Sequence, residues 1–173
     1  VTVRNCSESL LMLVLAGPKA PSILQEAFGP AVLAGMDRML SVRAAEFEFA
    51  PGVIARVGLT GEIGFELYVE AAYFRQIYQR LMSVGAGYGM KQFGVWALLS
   101  LRLEKSIGIW SREFAPDYTP FMSGLDRFVD FTKEQFIGRD ALLSLKECTA
   151  EKRLVTMTVD ASDVDASGFE PIW

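Results

Sequence analysis

The order of hydrophobic patterns between residues 10 and 84 restricts the fold more than any other feature of the sequence. The continuous apolar run from Leu10 to Ala16 predicts a buried strand, and Gly17-Pro18 predicts a turn behind it. Pro21 to Phe28 then carries apolar residues at helical spacing. The chain therefore begins with a strand followed by a helix.

The next residues predict a hairpin, another strand and an amphipathic helix. Strands are predicted over Ser41 to Phe49 and Gly52 to Leu59, with Ala50-Pro51-Gly52 as the turn between them. Phe65 to Val69 is a further strand, and Ala71 to Val84 has a helical apolar stripe. This order is that of a split βαβ, ferredoxin-like unit, so we predict an α+β fold with helices on one face of an antiparallel sheet.

The rest of the chain predicts a helix and then a partly separate piece. Val95 to Ile107 is predicted to be helical, as is the shorter segment Ala141 to Lys146, whereas Arg153 to Val159 alternates like a strand. We therefore expect one domain over residues 1–135, and a connector with the start of a smaller β-rich subdomain over residues 136–173.

The composition excludes several kinds of chemistry. Because the chain has no histidine, it cannot supply a Ser-His-Asp or Cys-His nucleophile system, and no metal site is expected. The net charge of −4 without a cationic block makes nucleic acid an unsuitable partner, and no apolar run is long enough to cross a membrane. Two distant cysteines, Cys6 and Cys148, favour a reducing compartment. The expected location is the cytoplasm in a bacterium, or the mitochondrial matrix in a eukaryote.

Two glycine-rich segments are candidate sites. Gly85 to Met90 lacks the spacing of a nucleotide loop and follows a helix, so we interpret it as a helix end and turn. Thr60 to Glu66 places two glycines around two carboxylates between predicted strands. Such a turn can aim one carboxylate at a ligand, with Phe65 and Tyr68 as apolar or stacking walls, although an ordinary hairpin with surface carboxylates explains the same residues.

Three segments resemble the glycine-cleavage aminomethyltransferase family in order and spacing. They are Leu15 to Ala20, Gly58 to Leu67 and Leu99 to Lys105. Further segments are most similar to the folate-binding domains of dimethylglycine and sarcosine dehydrogenases, namely Leu103-Glu104-Lys105, Trp110, Thr119-Pro120, Gly124-Leu125 and Phe136 to Leu142.

The resemblance implies binding of tetrahydrofolate and transfer of a one-carbon unit. The glutamate that matches Glu66 hydrogen-bonds the pterin, as a carboxylate facing N–H donors can. The partners implied are folate, a small methylated amine or the formaldehyde or iminium species made from it, and an FAD-binding domain elsewhere in the parent chain. We assign cofactor contact to Glu66, Thr60, Gly64, Phe65 and Trp110.

The sequence departs from the family pattern in two respects. The catalytic aspartate of the family lies upstream of the segment matched by Leu15, before Val1, so we expect no catalytic residue in this chain and no methylene transfer by it alone. Leu98 occupies the place of a folate-contacting arginine, which favours capture of a released one-carbon species over transfer from a carrier protein. We interpret Arg102 as structural, and the aromatic, uncapped end at Trp173 favours a piece of a longer polypeptide.

Two alternatives remain open. One is a noncatalytic regulatory or interaction module that keeps the fold. The other is a stand-alone folate-dependent aminomethyltransferase or demethylase without a flavin domain.

Overall fold

The computed structural model describes residues 1–148 and 152–160 of the 173-residue chain. Its internal contacts divide the chain into two compact units, Val1–Ile107 and Gly108–Trp173. The division falls earlier than the boundary at 135/136 that the sequence led us to expect.

The first unit is built on a four-stranded sheet in which every neighbouring pair is antiparallel. The strands lie in the order β1-β4-β3-β2, so that β4 is an interior strand with a partner on each side. Their bounds are Leu10–Ala16 for β1, Val42–Phe47 for β2, Ala50–Ala55 for β3 and Gly64–Glu70 for β4.

Two helices cover one face of this sheet because each contributes an apolar stripe to the same core. Helix α1 is Ala20–Phe28, α2 is Ala71–Ala86 and α3 is Val95–Glu104, and a short 3-10 helix spans Pro30–Leu33. A single buried cluster joins alternate strand residues to α1 and α2, and it includes Leu15, Phe47, Ile54, Leu67, Ile23, Leu24, Ile77 and Leu81. Alternate burial along the strands places both helices on one side.

The predicted α+β class and antiparallel sheet are confirmed. Strands β2, β3 and β4 form a meander, and β1 pairs with β4 at the edge. Consequently β1 and β2, which flank α1, run antiparallel instead of parallel as in a split βαβ unit.

The hairpin turn lies at Glu48 and Phe49, two residues before the predicted Ala50-Pro51-Gly52 turn. Phe47 pairs with Ala50, and Glu48 adopts a φ of 60° to close this two-residue connection. Pro51 is accommodated within β3 because it faces Glu46 in the second pair from the turn, where no N–H from position 51 is needed. Pairing of β3 with β4 begins only at Gly52.

Helix α3 ends at Glu104, three residues short of the prediction. Ser106 takes a left-handed φ of 57°, and the Ser106 and Ile107 amides donate to the carbonyls of Leu103 and Arg102. This hydrogen-bond pattern is that of a Schellman helix end, which turns the chain out of the helix.

The second unit has three short helical segments in its described part: α4 over Pro120–Ser123, a 3-10 helix over Asp126–Phe128, and α5 over Arg139–Lys146. The strand predicted over Arg153 to Val159 is not formed, although these residues are described. The Leu154 amide donates to the Met122 carbonyl at 2.8 Å, but a strand requires a neighbouring ladder of such bonds. Within the described ranges, no helix has the length and apolar character needed to cross a membrane.

Candidate functional site: the open face of the sheet

The two faces of β4 have opposite character. Phe65, Leu67 and Val69 point into the helix-covered core, with no more than 3% of each residue exposed. Glu66 and Tyr68 alternate with them and are half-buried on the opposite face, which α1 and α2 do not cover. An acidic and a phenolic side chain are thereby held side by side on an interior strand.

The residues that flank this pair on neighbouring strands are apolar. Glu66 lies between Val14 on β1 and Ala55 on β3, and Tyr68 lies between Met12 and Val53. Met12 and Val14 are 47% and 42% exposed, so the immediate surroundings of Glu66 on this face are largely apolar, and the exposed Glu46 and Glu70 lie farther along the same face. A surface of this kind suits a planar ligand with a polar edge.

A short hydrogen bond joins the pair. The Tyr68 hydroxyl donates to Glu66 Oε2 at 2.5 Å. This bond, together with partial burial and the nearby negative charge, raises the pKa of Tyr68 above its usual value, because ionisation would remove the donor and place a phenolate beside a carboxylate. Tyr68 is therefore a protonated donor throughout the neutral pH range.

Gly64 begins β4 at a point where two backbone segments nearly touch. A Cβ at this position would lie 2.8 Å from both Gly58 Cα and the Val57 carbonyl oxygen, so a side chain would displace backbone. The preceding residue is also fixed, since the Ile63 carbonyl accepts a 2.8 Å bond from the Gly17 amide. Close approach, not positive φ, is what requires glycine here.

Thr60 and Glu62 belong to the turn that leads into β4. Thr60 is only 4% exposed, and its Oγ1 accepts a 3.4 Å bond from the Glu62 amide. Gly61 has a φ of 75°, and the Lys105 side chain lies against it. Glu62 turns outward to form a 3.3 Å ion pair with Lys105, so the two carboxylates of the motif occupy different environments.

The structure does not bring all the sequence-predicted site residues together. Phe65 is buried in the core, on the opposite side of β4 from Glu66, because neighbouring strand residues point to opposite faces. Trp110 belongs to the second unit, where it is 79% exposed and packs edge-on against Phe114 at 6.4 Å. Sequence reasoning missed the Tyr68–Glu66 bond, although the spacing of two residues on a strand was a visible signal.

Two other segments have structural roles. Arg102 is 1% exposed, and its Nη1 donates to the Ile107 carbonyl at 2.8 Å, which fastens the end of α3. At the end of α2, the Tyr88 and Met90 amides donate to the Gly85 carbonyl. The segment from Gly85 to Met90 is thus a helix end and turn, as predicted.

This α+β unit with its carboxylate-bearing open face agrees with the comparison to known families. The sequence profile described as the GCVT N-terminal domain matches residues 1–133. The chain belongs to the GCVT N-terminal domain family.

Its relatives are enzymes of two kinds. The chain is 34% identical over 174 residues to the mitochondrial dimethylglycine dehydrogenase of Rattus norvegicus, an alignment that covers 100% of this chain and 20% of the dehydrogenase. It is 31% identical over 170 residues to an aminomethyltransferase of Caldanaerobacter subterraneus, covering 98% of this chain and 45% of that enzyme. An aminomethyltransferase of Thermoanaerobacter is 32% identical over 180 residues. The chain thus spans a fifth of the dehydrogenase and under half of the transferase.

Proposed function

We propose that this chain contributes the pterin-binding carboxylate, Glu66, to a tetrahydrofolate site that serves one-carbon transfer. The observation that carries the proposal is the placement of Glu66. It is a half-buried carboxylate on an interior strand, set among apolar neighbours on the face that α1 and α2 leave uncovered. Membership of the GCVT family and relatives named aminomethyltransferase support the same reading.

The chemistry of the carboxylate fits an aminopyrimidine edge. An ionised carboxylate has about four acceptor positions, and within residues 1–148 and 152–160 the Tyr68 hydroxyl is its hydrogen-bond partner. The remaining capacity can accept two N–H bonds from a ligand, and such charge-assisted bonds are stronger than neutral ones. Bound tetrahydrofolate would supply the nucleophilic nitrogen that accepts the one-carbon unit.

The other residues proposed to contact the cofactor occupy different positions in the fold. Thr60 and Gly64 shape the turn that delivers Glu66, so we assign them a supporting role beside the ligand. Trp110 has an exposed ring that can stack on a planar group, and it stays a proposed contact. Phe65 is buried in the core beneath β4 and supports the strand from that side.

The parent protein is proposed to resemble dimethylglycine dehydrogenase. On this proposal a flavin domain elsewhere in the polypeptide oxidises a small methylated amine, and folate captures the formaldehyde or iminium species. The catalytic aspartate of the family would also come from outside this chain. The rat relative is mitochondrial, so we propose a mitochondrial matrix location for a eukaryotic parent and the cytoplasm for a bacterial one.

Calorimetric titration of the full-length protein with folinic acid, a stable reduced folate, tests the site. Glu66→Gln keeps the volume of the side chain but replaces a charged acceptor, which costs on the order of 1.5 to 3 kcal/mol, or roughly tenfold to a hundredfold in affinity. Glu62→Gln is the matched control, because Glu62 lies outside β4 and forms an ion pair with Lys105. Parental affinity in Glu66→Gln would remove Glu66 from the site.

A separate measurement tests the flavin part of the proposal. The purified full-length protein should show flavin absorbance and should oxidise dimethylglycine or sarcosine, with Glu66→Gln leaving this oxidation almost unchanged. Folate binding without flavin would instead favour a stand-alone transferase. Folate binding without any turnover would favour a noncatalytic module.

A further inference from the structure

In the described part of the chain, the Tyr68 hydroxyl makes the one side-chain hydrogen bond to Glu66. The four residues that flank the pair on β1 and β3 are Met12, Val14, Val53 and Ala55, and none has a polar side chain. The neighbouring strands therefore cannot fix the direction of the carboxylate. A free glutamate side chain would sample several rotamers, and binding would have to select one of them.

We propose that Tyr68 is a positioning residue, whose hydroxyl holds Glu66 Oε2 and thereby turns Oε1 and the remaining lone pairs towards the N–H donors of a folate pterin. The inference rests on the proposed function. It adds a residue that acts on the ligand through Glu66 and does not itself have to contact the ligand.

Strand geometry explains why residue 68 can do this. Residues two apart on a strand share a face and lie about 6.6 Å apart along it. A phenol ring spans that separation, and the observed hydroxyl-to-carboxylate distance is 2.5 Å. Both residues are anchored by backbone pairing on each side, since Glu66 and Tyr68 each have partners on β1 and β3. The hydroxyl is thus held by the sheet itself.

The pair does not hold separate elements together. Glu66 and Tyr68 lie two residues apart on one strand, so their bond crosses no boundary between elements. Tyr88 makes the same kind of contact with Glu26, 62 residues away, at 2.6 Å, and it does join α1 to the segment after α2. A bond that contributes little to the fold yet fixes one carboxylate on an open face is best explained by what that carboxylate binds.

The proposal also restricts the ligand. Because the Tyr68 hydroxyl already donates to Oε2, the remaining lone pairs of the carboxylate are the acceptors that a ligand meets. The ligand edge must therefore present N–H donors side by side, as an aminopyrimidine does. A group carrying its own acceptors at that edge would be rejected.

A double-mutant cycle in the full-length protein tests the role. Dissociation constants for folinic acid are measured by calorimetry for the parent, Tyr68→Phe, Glu66→Gln and the double variant. Tyr68→Phe removes the hydroxyl and keeps the ring, so we expect affinity to fall about threefold to tenfold, the effect of one lost hydrogen bond. In the Glu66→Gln background the same change should alter affinity by less than about twofold, because Tyr68 acts through the carboxylate.

Tyr88→Phe is the matched control, since it removes the same tyrosine–glutamate contact at a distance from β4. It should leave folinic acid affinity unchanged, and circular dichroism should show all variants folded.

The outcomes separate the two proposals. Loss of affinity in Glu66→Gln with parental affinity in Tyr68→Phe would overturn the positioning role and keep the folate site. An equal loss from Tyr68→Phe in both backgrounds would also overturn it, because Tyr68 would then act independently of Glu66. Parental affinity in Glu66→Gln would overturn the folate site itself.

Discussion

Two tyrosine–glutamate hydrogen bonds lie on different sides of the sheet, and they differ in what they connect. On the helix-covered side, Tyr88 donates to Glu26 at 2.6 Å and links α1 to the chain after α2. On the open face, Tyr68 donates to Glu66 at 2.5 Å within one strand. The same kind of bond therefore joins two elements in one place and lies within a single strand in the other.

The two hydrogen bonds are distinguished by where they lie in the topology. The pKa of Tyr88, like that of Tyr68, is raised mainly by the bond to its glutamate. Electrostatics alone does not distinguish the pairs. The neighbours do, because the Tyr68 pair lies beside the exposed residues Met12 and Val14, on the face opposite the core that α1 and α2 pack against.

The largest effect is expected from the core side of β4. Leu67→Ala would remove a fully buried side chain from the packed cluster. Substitutions of this kind cost about 2 to 5 kcal/mol through lost burial and the cavity left behind. Urea denaturation of the full-length protein, followed by circular dichroism, should show this loss in free energy of unfolding.

Met12→Ala is the control on the open face, where the side chain is 47% exposed. Its effect on stability should stay within about 0.5 kcal/mol. If Met12→Ala cost as much as Leu67→Ala, the open face would be buried in the full-length protein, and the contrast between the faces would fail.

A smaller loss of stability is expected from a substitution at the residue where β4 begins. Gly64→Ala would place a methyl group 2.8 Å from two backbone atoms that cannot move independently. Forced overpacking costs about 1 to 3 kcal/mol. Because the turn delivers Glu66, folinic acid affinity should fall together with the melting temperature.

Gly94→Ala serves as the comparison, since a Cβ there meets no atom within 4 Å and φ is −96°. It should leave both quantities near the parental values. A Gly64→Ala protein with parental stability and affinity would contradict the assignment of this close contact.

The smallest effect concerns the titration of the two tyrosines. Glu66→Gln should lower the pKa of Tyr68 towards its usual value near 10.0, since the charged acceptor is gone, and should leave Tyr88 unchanged. Glu26→Gln should do the converse. Carbon NMR of ring-labelled tyrosine across alkaline pH measures both.

The sign of the coupling to stability follows from the same shifts. A tyrosine whose pKa is raised on folding contributes stability that is complete below about pH 10 and is lost as pH rises through its folded pKa. Tyr68→Phe should therefore flatten the alkaline decline in stability. An unchanged pKa for Tyr68 in Glu66→Gln would show that the hydrogen bond is absent in solution.

Much of the fold could be predicted because hydrophobic period distinguishes strands from helices. The helical stripe predicted α2, and the continuous apolar run from Leu10 to Ala16 predicted β1. That run was expected to be a buried strand, but β1 lies at the edge of the sheet with Leu10, Met12 and Val14 exposed. The hairpin register could not be predicted from the sequence. Ala50-Pro51-Gly52 contains residues that favour turns, whereas the actual turn at Glu48 and Phe49 contains none. Pairing with β4 decided the register, and that interaction is nonlocal.

The candidate site was predicted only in part. Glu66 was proposed as a site residue from the motif and the family resemblance, and it stays a proposal, because a motif does not state which way each residue points. Phe65 was proposed as a wall of the site, and strand alternation places it in the core instead. The spacing of Tyr68 and Glu66 indicated that they share a face of the strand, but the bond between them also depends on their side-chain rotamers.

The interior position of β4 has a consequence for amide exchange. From Glu66 to Val69 the strand is paired with β1 on one side and with β3 on the other. Amides in such a doubly bonded strand are expected to exchange with solvent only when the whole sheet opens. The backbone that carries the carboxylate is therefore among the slowest-exchanging parts of the unit, and a ligand arriving at this face would pay little entropy to order it.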